Sequence, residues 1–203
     1  MKTLALLSTL AVASVALAQT PVPDAAEKAQ PLAVGAKVPR VAVKSLDGKT
    51  VSLPKALGGK TVLVFYRGGW CPFCNRQMDS LQAAQADLTK LGYKIVAISP
   101  DRAEELQKTI GKRHLTYQLL SDSPMDAAKA FGVAFRVDDG TLAKYKGFGI
   151  DLEMASGQSH HYLPVPSVFL IGKDGKIKYR YFNADYKVRL SPEELLAAAK
   201  ANR

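Results

Sequence analysis

The chain has two cysteines, Cys71 and Cys74, in the run Tyr66-Arg67-Gly68-Gly69-Trp70-Cys71-Pro72-Phe73-Cys74. Three residues apart is nearly one helical turn, so both sulfurs project from one side and can close a small disulfide ring. Pro72 suits the first position of a helix, where it sacrifices no hydrogen bond and presets the backbone. The free N–H groups and the dipole of a helix start favour negative charge, which holds a cysteine there as thiolate. Cys71, as the outer residue, is therefore assigned as the attacking thiolate and Cys74 as the resolving thiol, since the attacker has the lower pKa and the freer access. A purely structural bridge is the bland alternative, yet a loop of two intervening residues removes little unfolded-state entropy. Zinc held with His160 and His161 is a second alternative. It fits poorly, because adjacent histidines point in different directions and the usual His-to-His spacing is absent. No metal and no cofactor is expected beyond the redox-active Cys71/Cys74 pair.

The elements that must position this pair can be read around it. Thr61 to Tyr66 is a β-branched and aromatic run expected as a buried strand, and the two glycines turn the chain. Met78, Leu81, Leu88 and Leu91 then recur at helical spacing, with Gly92 as a C-cap. Lys94 to Ser99 reads as a second buried strand. Asp101 with Glu104 reads as a capping box opening a helix to about His114. Tyr117 to Leu120 is a short strand, and Ser123-Pro124-Met125-Asp126 the start of a helix to about Phe131. Gly132 to Pro164 has no clean period and reads as a long excursion. Ser167 to Ile171 and Ile177 to Phe182 form a hairpin about Asp174-Gly175, and Ser191-Pro192-Glu193-Glu194 caps a closing helix. Upstream, Val41 to Val43 and Thr50 to Leu53 flank an Asp47-Gly48 turn as an N-terminal β-hairpin extension. The order implies an α/β fold with a central mixed β-sheet and helices on both faces.

Residues 1–18 read as a signal peptide, with Lys2, an apolar stretch from Leu4 to Leu17, and Ala16-Leu17-Ala18 as cleavage site. Residues 19–33 read as a flexible leader and 34–203 as one domain. The mature protein is then exported, periplasmic or secreted, and without stable membrane insertion. The net charge is +10, from 28 basic and 18 acidic residues. An exported chain with dispersed lysines and arginines argues for a solvated basic face and against nucleic acid, with an anionic surface or acidic protein partner left open.

Three separated segments carry a resemblance: Val62 to Asn75, Leu120-Ser121-Asp122 with Ala128 to Val133, and Val165 to Ile171. In order and kind they resemble the redoxin branch of the AhpC/TSA family, peroxiredoxin-like members of the thioredoxin-fold superfamily. The resemblance runs from about Val34 to the C-terminus. It implies a thioredoxin-like three-layer fold and a thiol-based antioxidant or disulfide-exchange activity, with electrons from a partner dithiol protein or small thiol. The family's peroxidases carry a threonine three residues before the peroxidatic cysteine and a proline four before that. Those positions are Gly68 and Val64 here, and Arg67 stands near enough to substitute for the family's assisting arginine. The Cys-Pro-Phe-Cys run resembles instead the dithiol of thioredoxins and glutaredoxins, which implies a cis bond at Val165–Pro166, with Val165 offering backbone groups to a substrate disulfide. A strand-start proline with a trans bond is the alternative. Trp70 and Tyr66 are candidate walls of the site, or plain packing. His160 and His161 are candidate proton carriers, or surface histidines without a role.

Two reactions follow. As a thiol-disulfide oxidoreductase, Cys71 forms a mixed disulfide that Cys74 releases. As a peroxidase acting on hydrogen peroxide or alkyl hydroperoxides, Cys71 becomes a sulfenic acid with which Cys74 condenses. A binding module with structural cysteines is the third reading.

Overall fold

The computed structural model describes residues 21–202, so the expected signal peptide lies outside the described residues. Seven strands form one mixed sheet in the order β2-β1-β5-β4-β3-β8-β9. They are β1 (Ala42–Lys44), β2 (Thr50–Ser52), β3 (Thr61–Phe65), β4 (Lys94–Ser99), β5 (Gln118–Ser121), β8 (Ser167–Ile171) and β9 (Ile177–Phe182). β3, β4 and β5 run parallel, while β8 pairs antiparallel with β3 and β9 with β8. The β1/β2 hairpin joins the edge beside β5.

Why β3 is the spine follows from its sequence. All five of its residues are buried, as a central strand covered on both faces requires. Val62 and Val64 face one apolar cluster, shared with α2 (Pro72–Lys90), α3 (Ala103–Arg113) and α7 (Pro192–Ala201). Leu63 and Phe65 face the other, with α1 (Leu53–Leu57), α4 (Asp126–Ala130) and a triad of rings from Phe65, Phe131 and Phe169. Helices thus cover both faces, the three layers expected.

Several local expectations are corrected. The strand expected to reach Leu53 stops at Ser52, because Pro54 in the first turn opens α1 and Gly58 ends it in the left-handed region. Asp101 does not cap α3: Arg102 takes the N-cap position without a side-chain hydrogen bond, and Asp101 turns inward. Ser123 does not cap α4 either. Asp122 does, accepting from the N–H groups of Ala127 and Ala128 at 3.0 and 2.8 Å, while Ser123 Oγ donates to the Ser156 carbonyl.

The excursion proves structured. β6 (Ala134–Arg136) pairs with β7 (Tyr162–Pro164), and between them lie α5 (Asp139–Gly147) and α6 (Leu152–Ser156). Elements this short leave no readable period. The stretch expected as a flexible leader makes packing and hydrogen-bond contacts with the domain from Val22 onward. The Pro23 carbonyl accepts from Arg136 N–H, Leu32 N–H donates to the Phe131 carbonyl, and Val22 and Leu32 pack on the second cluster.

The closing helix is held by a complete capping box. Ser191 Oγ accepts from Glu194 N–H at 3.1 Å, and the Glu194 carboxylate accepts from Ser191 N–H at 2.9 Å. Because Leu195 and Ala199 of this helix pack on the dithiol-bearing cluster, Ser191→Ala should lower the unfolding free energy by about 1 kcal/mol. Urea denaturation should show it as a lower midpoint at unchanged slope.

Candidate active site

Parallel strands β3 and β4 end side by side, and the chain leaving β3 crosses their tips before entering α2. That crossing depends on two glycines. Gly68 has φ +149°, and a Cβ on it would lie 2.2 Å from Trp70 Nε1. On Gly69 a Cβ would lie 2.0 Å from Thr109 Oγ1 of α3. Gly68 O then accepts from Cys71 N–H at 3.1 Å, and Cys71 occupies the extended N-cap position of α2 with Pro72 in the first turn. Its sulfur makes no capping hydrogen bond to the first turn, yet it sits at the positive end of the helix, where negative charge is favoured.

This placement separates the two thiols. The neighbouring Cys74 thiol, first, holds the Cys71 sulfur down, to about 6, against the opposing effect of burial. The Cys74 N–H and the charges of Arg67 and Arg189 help. Burial, first, pushes the Cys74 thiol well above the ordinary range, and its role as donor to the Cys71 anion adds to it. Arg67 Nη1 lies 4.0 Å from Cys71 Sγ, and Arg189 Nη2 lies 3.3 Å from Cys74 Sγ.

Arg67 is itself buried and has no carboxylate partner among the described residues. Aromatic faces take that place: its guanidinium lies 4.0 Å from the ring centre of Tyr186, 5.1 Å from Trp70 and 5.4 Å from Tyr145, and it donates to the Tyr145 hydroxyl. A cation over a ring face is attracted by the ring's quadrupole. Arg189 is fixed by Gln77 Oε1 and the Tyr186 carbonyl.

Not every expected site residue falls where the sequence suggested. Cys71 is not the exposed sulfur: its exposure is 1%, against 0% for Cys74, because the excursion and the Arg67 cage close over the helix start. Trp70 does wall the site, packed against Tyr145 at 5.7 Å. Tyr66 lies wholly in the core instead, its hydroxyl without a partner. The Val165–Pro166 bond is trans, the ordinary preference of an X–Pro bond. Nor does Val165 offer backbone groups to a substrate, because its N–H donates to the Val133 carbonyl and its carbonyl accepts from Ser167 Oγ. Pro166 lines a cleft of about 240 Å³ with Arg67, Tyr145 and Tyr186. His160 is engaged by the Ser123 carbonyl and Tyr162 N–H, and His161 by Glu153, so neither histidine is turned to the sulfurs. No group of three or more potential metal ligands occurs among the described residues.

The site also contains residues the sequence did not announce. Tyr145, Tyr186 and Arg189 reach it from far along the chain, 78 residues from Arg67 in the first case and 115 from Cys74 in the last. Asp101, whose pattern suggested a helix cap, places Oδ2 2.8 Å from Gly69 N.

The model of the AhpC/TSA family matches residues 34–180. A putative peroxiredoxin bcp of Helicobacter pylori is 30% identical over 156 residues, covering 77% of this chain and 91% of that protein. One from Haemophilus influenzae is 35% identical over 103 residues, spanning 51% of this chain and 66% of the relative. Among solved structures, peroxidoxin BcpB from Mycobacterium tuberculosis superposes with a TM-score of 0.64 at 22% identity, over 84% of this chain and 97% of that one. Reduced Prx3 from Vibrio vulnificus in complex with hydrogen peroxide gives 0.68 at 18% identity, over 84% and 98%. At such identities these two likenesses speak for the fold alone. The family pattern, by contrast, spans most of the sequence and includes the helix start that bears both sulfurs, and the chain belongs to the AhpC/TSA family.

Proposed function

We propose that the protein is a thiol-dependent peroxidase, with Cys71 as the peroxidatic and Cys74 as the resolving cysteine. The single observation that carries this reading is the buried Arg67 guanidinium, without a carboxylate partner among the described residues, set 4.0 Å from a Cys71 sulfur whose pKa is lowered to about 6. The Cys71 thiolate attacks the near oxygen of a peroxide. An S–O bond forms, the O–O bond breaks, and the departing hydroxide or alkoxide takes a proton to leave as water or alcohol. Charge builds on that departing oxygen, and Arg67 with the Tyr145 hydroxyl stands where donors to it are needed. Gly68 and Val64 replace the family's usual threonine and proline, so this pair is the substitute cradle. Cys74 then displaces hydroxide from the sulfenic acid to give the disulfide, and a partner dithiol protein or small thiol restores the dithiol.

Direct disulfide exchange with proteins is disfavoured on two grounds. Both sulfurs are buried in the reduced protein, beside Arg67 of a cleft that suits a small peroxide better than a protein strand, so a dithiol reductant meets the oxidised form only once the helix start loosens. The Val165 backbone, which would have to pair with a substrate strand, is already satisfied. Residues 1–18 are proposed as an export signal, so the secreted form should begin at Gln19. N-terminal sequencing of the exported protein checks this, and an intact Met1 would refute it.

The reduced protein should consume hydrogen peroxide, and Cys74→Ser should accumulate a Cys71 sulfenic acid that dimedone traps. A rate constant no better than that of free cysteine would sink the peroxidase reading. Arg67→Met should slow the peroxide step by roughly 100-fold.

Because the thiolate is the reactive form and its pKa is lowered, Cys71 alkylation should rise with pH through about 6 and level off above 7. Cys74→Ala, which removes the strongest support, and Arg67→Met should both move that midpoint upward toward the ordinary thiol range.

A further inference from the structure

Cys74 has to act against its surroundings. It lies wholly inside an apolar cluster, where burial holds its proton on, and yet it must become the second nucleophile of the cycle. One cation reaches its sulfur. Arg189 Nη2 donates to Cys74 Sγ at 3.3 Å, a closer approach than the 4.0 Å between Arg67 Nη1 and Cys71 Sγ.

The Arg189 guanidinium is aimed by fixed partners. Its Nη1 donates to Gln77 Oε1 at 2.6 Å and its Nε to the Tyr186 carbonyl at 2.7 Å, so three edges of the planar fork are taken by three different groups. Buried Gln77 stands three residues after Cys74 and shares its face of α2, which sets the oxygen and the sulfur side by side for one guanidinium. Among the described residues no carboxylate pairs with Arg189 to divert its charge.

The segment that carries Arg189, residues 183–190 between β9 and α7, is itself shaped by hydrogen bonds. Asp185 N–H donates to Asn183 Oδ1, Lys187 N–H to Asp185 Oδ1 and Val188 N–H to the Asp185 carbonyl. Leu190 then packs in the cluster that holds Cys74. Tyr186 serves both guanidinium groups: its ring lies 4.0 Å from that of Arg67, and its carbonyl holds Arg189.

We propose that Arg189 is a catalytic residue of the resolving step, supporting negative charge on the Cys74 sulfur while it attacks Cys71. The proposal rests on the peroxidase reading for the identity of the electrophile. In the reduced protein the charge sits on Cys71, and that charge helps to keep the proton on Cys74. Once Cys71 is a sulfenic acid the charge is gone, and Arg189 faces the one sulfur still able to carry it. The Cys74 S–H bond breaks, its electron pair forms the S–S bond, and the Cys71 S–O bond breaks. The departing hydroxide takes up a proton in place of the one Cys74 gives up, so sulfenic acid plus thiol give disulfide plus water. Cys74 is oxidised and Cys71 reduced to the disulfide level. The charged and titratable groups acting on Cys74 are Cys71, Arg67 and Arg189, with Tyr66 just past β3 as a neighbour, while β8 and α7 bring Val168, Leu195 and Ala199 to its cluster.

The test is Arg189→Met, which keeps much of the bulk and removes the cation. With peroxide, closure of the sulfenic acid to the disulfide should slow roughly 30-fold near pH 7, the loss expected of a hydrogen bond between charged groups. Sulfenic acid formation, served by Arg67, should fall far less. Methyl methanethiosulfonate, small enough for a recessed sulfur, reads the same event without peroxide: it leaves a methylthio group on Cys71, and Cys74 then expels methanethiol, followed by intact mass. That expulsion should slow by the same factor, so a protein inert to peroxide sinks the peroxidase reading while the role of Arg189 is still decided. The pH profile separates charge from shape. In Arg189→Met the midpoint of closure should move to higher pH, with the wild-type rate approached in alkali, and Arg189→Lys should regain part of the loss. Closure that is unchanged, or slowed equally at every pH, overturns the proposal. Should Arg189→Met not fold, nitrogen NMR of the Arg189 guanidinium in Cys71→Ser decides: its signals should shift as Cys74 ionises, and signals indifferent to that ionisation refute the role.

Discussion

A buried anion and a buried cation hold each other in place at the start of α2, and most of the architecture serves that pairing. Cys71 and Arg67 are each almost wholly buried, and an isolated charge in such a place is costly to keep. Side by side, each reduces the other's penalty. The sulfur gains further support from its partner thiol and from the N–H groups of the helix start, and the guanidinium from three aromatic faces. Because no carboxylate competes for Arg67 among the described residues, its charge is directed at the sulfur.

The sheet makes this arrangement rigid. β3 lies between a parallel and an antiparallel neighbour, and apolar clusters press on both of its faces. Its end therefore has little freedom, and the glycine turn that follows is locked by Asp101 and Asn75 on either side of one peptide. The excursion supplies Tyr145 and, with the stretch near the N-terminus, the walls of the cleft leading to Arg67. A region without sequence periodicity thus contributes walls of the cleft that Arg67 borders.

How much of this the sequence revealed depends on whether the signal was local. β4, β8 and β9 were legible to the residue, because buried strands are continuous apolar runs and the Asp174-Gly175 turn fixes the last pair. The α2 start and the Ser191 cap were legible for the same reason, each written in four adjacent residues. Asp101 was misread because a carboxylate before a helix has the same local pattern whether it caps the helix or turns inward, and only the position of the glycine turn decides. Arg189, Tyr145 and Tyr186 gave no signal, since they meet the sulfurs only after the sheet has brought distant segments together. The occupied Val165 backbone likewise depends on Val133, just before β6, an element too short to foresee.

One feature of the helix start bears on the whole catalytic cycle. Because both reacting sulfurs sit in a single turn, closing and reopening the ring asks nothing of the sheet, the excursion or any other helix. A reductant therefore needs only that one turn to loosen before it meets a sulfur that is otherwise recessed.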